Sequence, residues 1–469
     1  VNFSQGDLDM LVRFNVGNFL SFNKIQEFSM LKGKPINKSE RVYETNNLKL
    51  LKFAALFGAN ASGKSNLAKS IAFAQSLIIG TLESQPPLEK YAFKLEKNCL
   101  TKPSFFEFEI LIDNELYSYG FEVILSKKVF ISEWLIKLLP SGRNIEIFKR
   151  ESIEKNERST THSLSIKDKS LKNKFEVYLD DIKDNKTSLF LTEINKNKDH
   201  LYKENSDLII FRKIFEWFYF KLEVSYPNRP LSPSPNFWIG KEKTKIISLF
   251  KNFGIDIEDY FEEEVNLEHE LSSVSREITK DVTAAINSIQ NEAQKSKSTH
   301  AIIFTILDSY YLVEADKERN VKASTLKFSH RKEMPLFSFS EESDGTKKII
   351  DLLEVLLTNN KVFIIDEIDR SLHPQLTYRF AKLFLEYAVE KNIQLIITTH
   401  ESRLLDFDLL RQDEIWLIDK NKEGSSTLYS LDEYNVRFDR KIDKAYLEGR
   451  YGGVPIFNKL YPLEGNNIE

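Results

Sequence analysis

Residues 56–67 read LFGANASGKSNL, and no other stretch of the chain narrows its fold as far. Gly58, four residues, then Gly63, Lys64 and Ser65 follow an apolar run of strand type, LKLLKFAALFG, and open a helical pattern that continues to about Ile79. A strand that turns through two glycines into a helix leaves backbone N–H groups unpaired at the helix start, where the helix dipole favours an anion. The pattern is a phosphate-binding loop. Gly58 and Gly63 let the backbone close on the phosphates, Lys64 reaches their terminal oxygens, and the Ser65 hydroxyl is a ligand for magnesium. Asn60 and Asn66, in the same stretch, complete the candidates for contact with ATP.

Such a loop works with an acidic strand. In VFIIDEID, residues 362–369, four apolar residues bury the strand and carry Asp366 and Glu367 to its C-terminal end, where α/β sheets bind ligands. Asp366 is expected to hold magnesium and Glu367 to act as general base on the attacking water. This strand arrives about 300 residues after the loop, whereas a whole domain usually spans roughly 100–150 residues. The expected architecture is therefore one nucleotide-binding domain cut in two by an insertion.

The rest of the chain fits that division. Residues 9–22 alternate as a strand, and three β-type runs between Phe105 and Leu139, broken at DNE and SKK, read as an antiparallel meander. From 149 to 200 the sequence is rich in Lys, Asn, Glu, Ser and Asp and reads as short helices or surface segments. Leu208, Phe211, Phe215, Phe218 and Leu222 form one helical stripe, expected to be core, and a longer stripe runs from Leu267 to Ala293, set to pack within its own domain or against a second subunit. Strands resume at 301–316 and 321–330. After residue 335 helices and buried strands alternate, as in parallel βα units. The domains expected are 1–150, the first half of the ATPase; 151–325, a largely helical, coiled-coil-like insertion; and 326–469, the second half.

Two further elements separate classes of phosphate-loop ATPase. SDGT, with Ser343 and Gly345, opens a helix about 20 residues before the acidic strand. A hydroxyl and N–H groups there suit an anion, and since the chain has its own phosphate loop, the economical reading is that they cap ATP bound by a second copy. LIITTH ends an apolar strand with His400, placed to sense the terminal phosphate and orient the water.

With these four motifs the chain resembles the ABC-type ATPases of the SMC, RecF and OLD branch, over residues 9–150 and 330–455. GANASGKSNL, FEFEI, ESDGTKK, DEIDRSLHP, ITTH and YLEGRYGGVPIF are similar to the small prokaryotic ABC ATPases of anti-phage and abortive-infection loci, a group that includes the ATPase subunit of the PARIS defence system. The fold this implies is an α/β, split ABC-type head with a mixed sheet and an antiparallel meander. The resemblance further implies that Asp369–His373 form a loop at the interface of an ATP-sandwiched homodimer. The Gln loop of such ATPases has two candidates by position, Gln75 and Gln85. LSGGQ, the transporter signature, does not occur.

The function expected is that of an ATP-hydrolysing sensor or scaffold subunit of a bacterial anti-phage system. It would control a separate effector, a toxin or a nuclease such as a Toprim protein, and answer a phage-encoded trigger. A DNA-binding repair or maintenance ATPase of RecF or SMC type is the alternative. A net charge of −4 gives no global basic field, so any DNA contact must be local. A stand-alone OLD-like nuclease is weaker still: Asp406 and Asp408 have only about 60 residues after them, too few for a domain of ordinary size. The single cysteine, Cys99, fits a reducing cytoplasm, and no apolar run approaches the ~18 residues of a membrane span.

Overall fold

The computed structural model describes residues 9–434 apart from 46–47, 82–86, 153–157, 203–205, 228, 230, 232–235, 241, 273 and 307–308, together with Asp443 and Tyr446. Gln85 and nearly all of YLEGRYGGVPIF lie outside these residues. The chain forms two compact units. One comprises Val1–Pro227, Asn359–Ile368 and Leu385–Glu469, and the other Asn228–Thr358 and Asp369–Phe384.

The larger unit is built on two sheets. Its six-stranded sheet runs in the order Leu222–Ser225, Lys361–Ile365, Ile393–Thr398, Phe53–Gly58, Ile415–Lys420, Ser426–Ser430. Every pairing is parallel except the last. All residues of Phe53–Gly58 and Ile393–Thr398 are buried, which is why both read as mainly apolar rather than alternating runs. The acidic strand lies beside the histidine strand, and the histidine strand beside the phosphate-loop strand. Motifs some 300 residues apart are thus neighbours.

The second sheet is antiparallel, ordered Arg158–His162, Ile145–Ser152, Val129–Leu138, Glu115–Ile124, Ser104–Ile112, Met10–Gly17, Gln26–Ser29. The expected meander is its centre. Its first turn places Asp113 and Asn114 at φ 50° and 61°, the two left-handed residues of a tight hairpin. Phe14, Phe106 and Phe108 of this sheet, Leu67 and Ile71 of the phosphate-loop helix Lys64–Ile78, and Val362 and Ile364 of the acidic strand share one core. Gln394 joins the sheets, accepting from Leu11 N at 3.0 Å and donating to the carbonyls of Leu11 and Leu51.

The residues from 151 to 227 belong to this compact unit, whose first segment runs to Pro227. The cause is packing. Phe175, Phe190, Phe211 and Phe218 enter the shared core, and the buried Arg150–Glu133 pair binds the segment down. Glu133 accepts from Phe190 N and Leu191 N at the start of a short helix, while Arg150 donates to the carbonyls of Ile182, Asn185 and Ser188. The stripe at 208–222 is helical at Ile209–Glu216, continues as a π-helical turn Trp217–Lys221, and becomes the sheet's outer strand at Leu222.

The second unit carries an antiparallel sheet as well as helices. Its path is Asp259–Glu264, Val321–Ser329, Ser309–Ala315, His300–Ile306, with Phe337–Ser338 also paired to Val321–Ser329. The stripe from Leu267 is broken into Leu267–Leu271 and Arg276–Ser296, the latter capped by Ser275, whose side chain accepts from Ile278 N. Ile289 and Ala293 of the longer helix pack on Val313, Ala315 and Ala323 of the same unit's sheet. Among the described residues no helix is long and apolar enough to cross a membrane.

Candidate functional site

The larger unit brings the phosphate loop, the acidic pair and the histidine to the C-terminal ends of adjacent strands. The loop has the backbone of an anion cradle. Ala61 and Gly63 take φ of 63° and 117°, and the helix that follows has neither a side-chain cap nor an acidic residue in its first turn. A Cβ on Gly63 would meet Ser426 Oγ and lie 2.7 Å from Ser21 Oγ; one on Gly58 would lie 2.5 Å from Ile418 O. The Ser62 hydroxyl is buried without a hydrogen-bond partner. Uncapped N–H groups, an orphaned hydroxyl and glycine-only walls fit a polyphosphate.

Lys64 is 5% exposed, and its ammonium donates to Gly58 O at 2.7 Å and Ala59 O at 3.0 Å. His400 Nδ1 lies 3.5 Å from the same ammonium, with the imidazole at an exposed position. Ser65 is half-buried beside Lys64, and Asn60 is exposed at the turn. The Asn66 amide donates to Ser21 Oγ at 2.8 Å and ties the loop to the segment after the first strand.

Asp366 is 2% exposed. Its N–H donates to Ser225 O at 2.8 Å, and its Oδ1 accepts from the Thr398 hydroxyl at 2.5 Å. Glu367 stands half-buried with φ of 50°, and its N–H donates to the same Thr398 Oγ1 at 2.8 Å. A long side chain rarely takes this left-handed backbone, and such residues gather at functional sites. The carboxylate of Asp366 and the hydroxyl of Ser65 are hard oxygen donors, which suit a magnesium ion better than a softer metal.

The remaining candidates belong to the second unit. Ser343 is the N-cap of the helix Asp344–Leu357, its Oγ accepting from Thr346 N at 3.2 Å, and Ser343 and Asp344 are exposed. A Cβ on Gly345 would lie 3.2 Å from Ser371 O, so this glycine permits close approach of the turn that begins at Asp369. Asp369 O accepts from Leu372 N, and His373 Nδ1 from Gln375 N.

Gln75 and Asp406 are engaged by neighbours within the larger unit. Gln75 is buried and donates to Phe218 O at 2.7 Å and Leu222 O at 2.8 Å, pinning the π-helical turn rather than facing a ligand. Asp406 Oδ1 accepts from Asp408 N, a local turn, and the described residues hold no group of three or more His, Cys, Asp or Glu able to bind a metal. Sequence reading missed Thr398 and Ser225, whose importance comes from which strands they neighbour.

A family model described as "AAA domain, putative AbiEii toxin, Type IV TA system" matches residues 53–406. The chain belongs to this family. The match spans the phosphate loop, the acidic strand and the histidine strand together with the residues between them. The chain is also similar to a probable ATP-dependent transporter, ycf16, of Antithamnion sp., with 31% identity over 103 residues, or 21% of this chain. It spans 40% of that relative's length. Among solved structures it is similar to an SMC head domain from Thermotoga maritima, at 12% identity, covering 90% of this chain and 98% of that one with a TM-score of 0.32. It is likewise similar to an Smc head domain with a coiled coil and joint from Pyrococcus yayanosii, at 14% identity, 94% and 100% coverage and a TM-score of 0.36.

Proposed function

We propose that the chain hydrolyses magnesium-bound ATP to ADP and phosphate, and that it is the sensor or scaffold subunit of a bacterial abortive-infection system. The observation that supports the hydrolytic reading is the arrival of Lys64, Asp366–Glu367 and His400 at the C-terminal ends of three neighbouring parallel strands. Backbone N–H groups of the loop and Lys64 bind the phosphates, with Asn60 open to the nucleotide and Asn66 holding the loop to Ser21. Ser65 and Asp366 would hold the magnesium ion, which offsets the charge of the phosphates. Glu367 takes a proton from the attacking water as its oxygen bonds to the terminal phosphorus, and His400 orients that water. The bond from the terminal phosphorus to the bridging oxygen breaks and ADP leaves. Ser343, Gly345 and Asp369 of a second copy complete the site in an ATP-sandwiched homodimer.

The defence role is supported by the motif resemblance, which extends to the ATPase subunit of the PARIS system, and by the family description, which names a toxin and a toxin–antitoxin system. In this reading the protein works in the cytoplasm, restrains a separate toxin or nuclease, and is switched by a phage-encoded trigger. The test is to tag the chain at its own locus, recover it with and without magnesium-ATP, and measure the native mass of what elutes. A stoichiometric second protein supports the assignment. A lone homodimer whose hydrolysis is stimulated by DNA, with binding that weakens steeply in salt, would replace it with the RecF/SMC-type reading.

A further inference from the structure

Thr398 is the one polar residue at the end of a fully buried strand, Ile393–Thr398, and it is 2% exposed. For burial and strand preference alone a valine would serve as well, and a buried hydroxyl is costly unless it is hydrogen-bonded. Here it makes two bonds of fixed direction. Glu367 N is a donor, so the hydroxyl must accept from it at 2.8 Å; its own proton is left for Asp366 Oδ1 at 2.5 Å. The Thr398 carbonyl accepts from Ile368 N at 3.1 Å. One residue of the histidine strand therefore binds three consecutive residues of the acidic segment, two positions before His400.

We propose that Thr398 is the positioning residue of this site: its hydroxyl turns Asp366 so that Oδ2 faces the metal, and holds Glu367 in the left-handed conformation that aims its carboxylate at the water. This inference rests on the hydrolytic reading above. Asp366 Oδ2 carries no hydrogen bond among the described residues, whereas Oδ1 is taken by the hydroxyl. The conformation of Glu367, at φ of 50°, is one its side chain does not favour, so a bond to its N–H at that point selects the geometry rather than merely decorating it. Because the bonds come from the strand that carries His400, the acidic pair and the histidine are set by a single strand end.

The test compares Thr398→Val, which keeps the β-branched shape, with Thr398→Ser, which keeps the hydroxyl, beside Asp366→Asn. Nucleotide binding without magnesium and hydrolysis as a function of magnesium are both measured. The valine variant is expected to bind magnesium-free ATP as the wild type does, to need more magnesium for half-maximal rate, and to lose activity by about 10- to 100-fold, the usual cost of removing a group that orients a metal ligand. The serine variant should recover most of the activity. Thr398→Cys, which donates poorly, gives the same comparison with serine if the valine variant does not fold. Wild-type rate and magnesium dependence in the valine or cysteine variant, with Asp366→Asn inactive, overturns the positioning role alone. Equal losses in valine and serine mean that packing, and not the hydroxyl, is responsible, and that too overturns it. If Asp366→Asn hydrolyses normally, the hydrolytic reading fails and this inference with it.

Discussion

Lys64 and Glu367 act at opposite ends of the proposed reaction, and their substitutions should separate binding from chemistry. Lys64→Ala removes the ammonium that crosses the loop and is expected to lose ATP affinity and hydrolysis together, by about 100-fold or more, an effect of the size seen when a preorganised charge is removed. Glu367→Gln keeps the side-chain length and the backbone bond to Thr398 but cannot take a proton. It should bind ATP normally, hydrolyse almost none, and accumulate as a closed dimer, seen as nucleotide retained through gel filtration. Hydrolysis at the wild-type rate would show that Glu367 is not the base. Gly58→Ala tests the cradle itself, because its Cβ would fall 2.5 Å from Ile418 O and 2.6 Å from Ser62 Oγ. A loss of about 1–3 kcal/mol of stability, with loss of nucleotide binding, is expected from such overpacking. The phosphate loop, the acidic pair and His400 were legible because each is a short contiguous pattern beside an apolar run. Thr398, Ser225 and Ser21 were not, because their roles come from strands and loops far away in the chain, and a serine or threonine carries no local mark of its partner.

The helix Asp344–Leu357 carries a titratable contact on its inner side. Asp351 accepts from the Tyr310 hydroxyl of the second unit's own sheet, and burial, the largest influence on it, raises its carboxyl from the ordinary 3.8 to about 6, against the lowering effects of Tyr310 and Lys348. A folded-state group that keeps its proton to higher pH than the unfolded chain favours folding most below pH 3.8. That contribution is lost as pH rises through about 6. Asp351→Asn keeps an oxygen for Tyr310 without the charge. It should flatten the pH dependence of melting between about pH 4 and 6, and be more stable than wild type at pH 8 by about 1–3 kcal/mol, as a shift of this size implies. Parallel wild-type and variant melting curves across that range would show that the contact does not titrate. Elements themselves were legible where periodicity was long: the helices at 64 and 344, the meander, and the buried strands near 361 and 393. Leu222–Ser225 was not, since it continues directly from a helix through a π-helical turn, and the apolar stripe showed no break where the backbone changed. Ile145–Ser152 and Arg158–His162 hide for another reason. Arg158–His162 is an edge strand and Ile145–Ser152 lies next to it, and the charged residues of both read as surface.

At the scale of the molecule, the residues assigned to the proposed reaction are divided between the two compact units: phosphate loop, acidic pair and histidine in one, Ser343, Gly345 and Asp369 in the other. The insertion was visible as a distance in sequence, but its bounds were not. The aromatic residues of 170–220 look the same whether they fill their own core or a neighbour's, and only the fold shows that they fill the larger unit's. A homodimer of twofold symmetry would offer each copy's signature residues to the other copy's phosphate loop. Mixing two inactive variants decides whether it does. Lys64→Ala leaves Ser343 intact, and Ser343→Arg leaves Lys64 intact. If the signature serves its own chain, every subunit in the mixture is defective and hydrolysis stays at background. If it serves the other copy, half of the dimers in an equal mixture are mixed, and each of these has one site with both features intact. Recovery of about one quarter of wild-type hydrolysis is then expected, from the twofold symmetry of the assembly. The Ser343→Arg protein alone should still bind ATP as an isolated subunit. Should it lose binding and hydrolysis equally, the signature would be acting on its own chain, and the ATP-sandwiched dimer would lose its support.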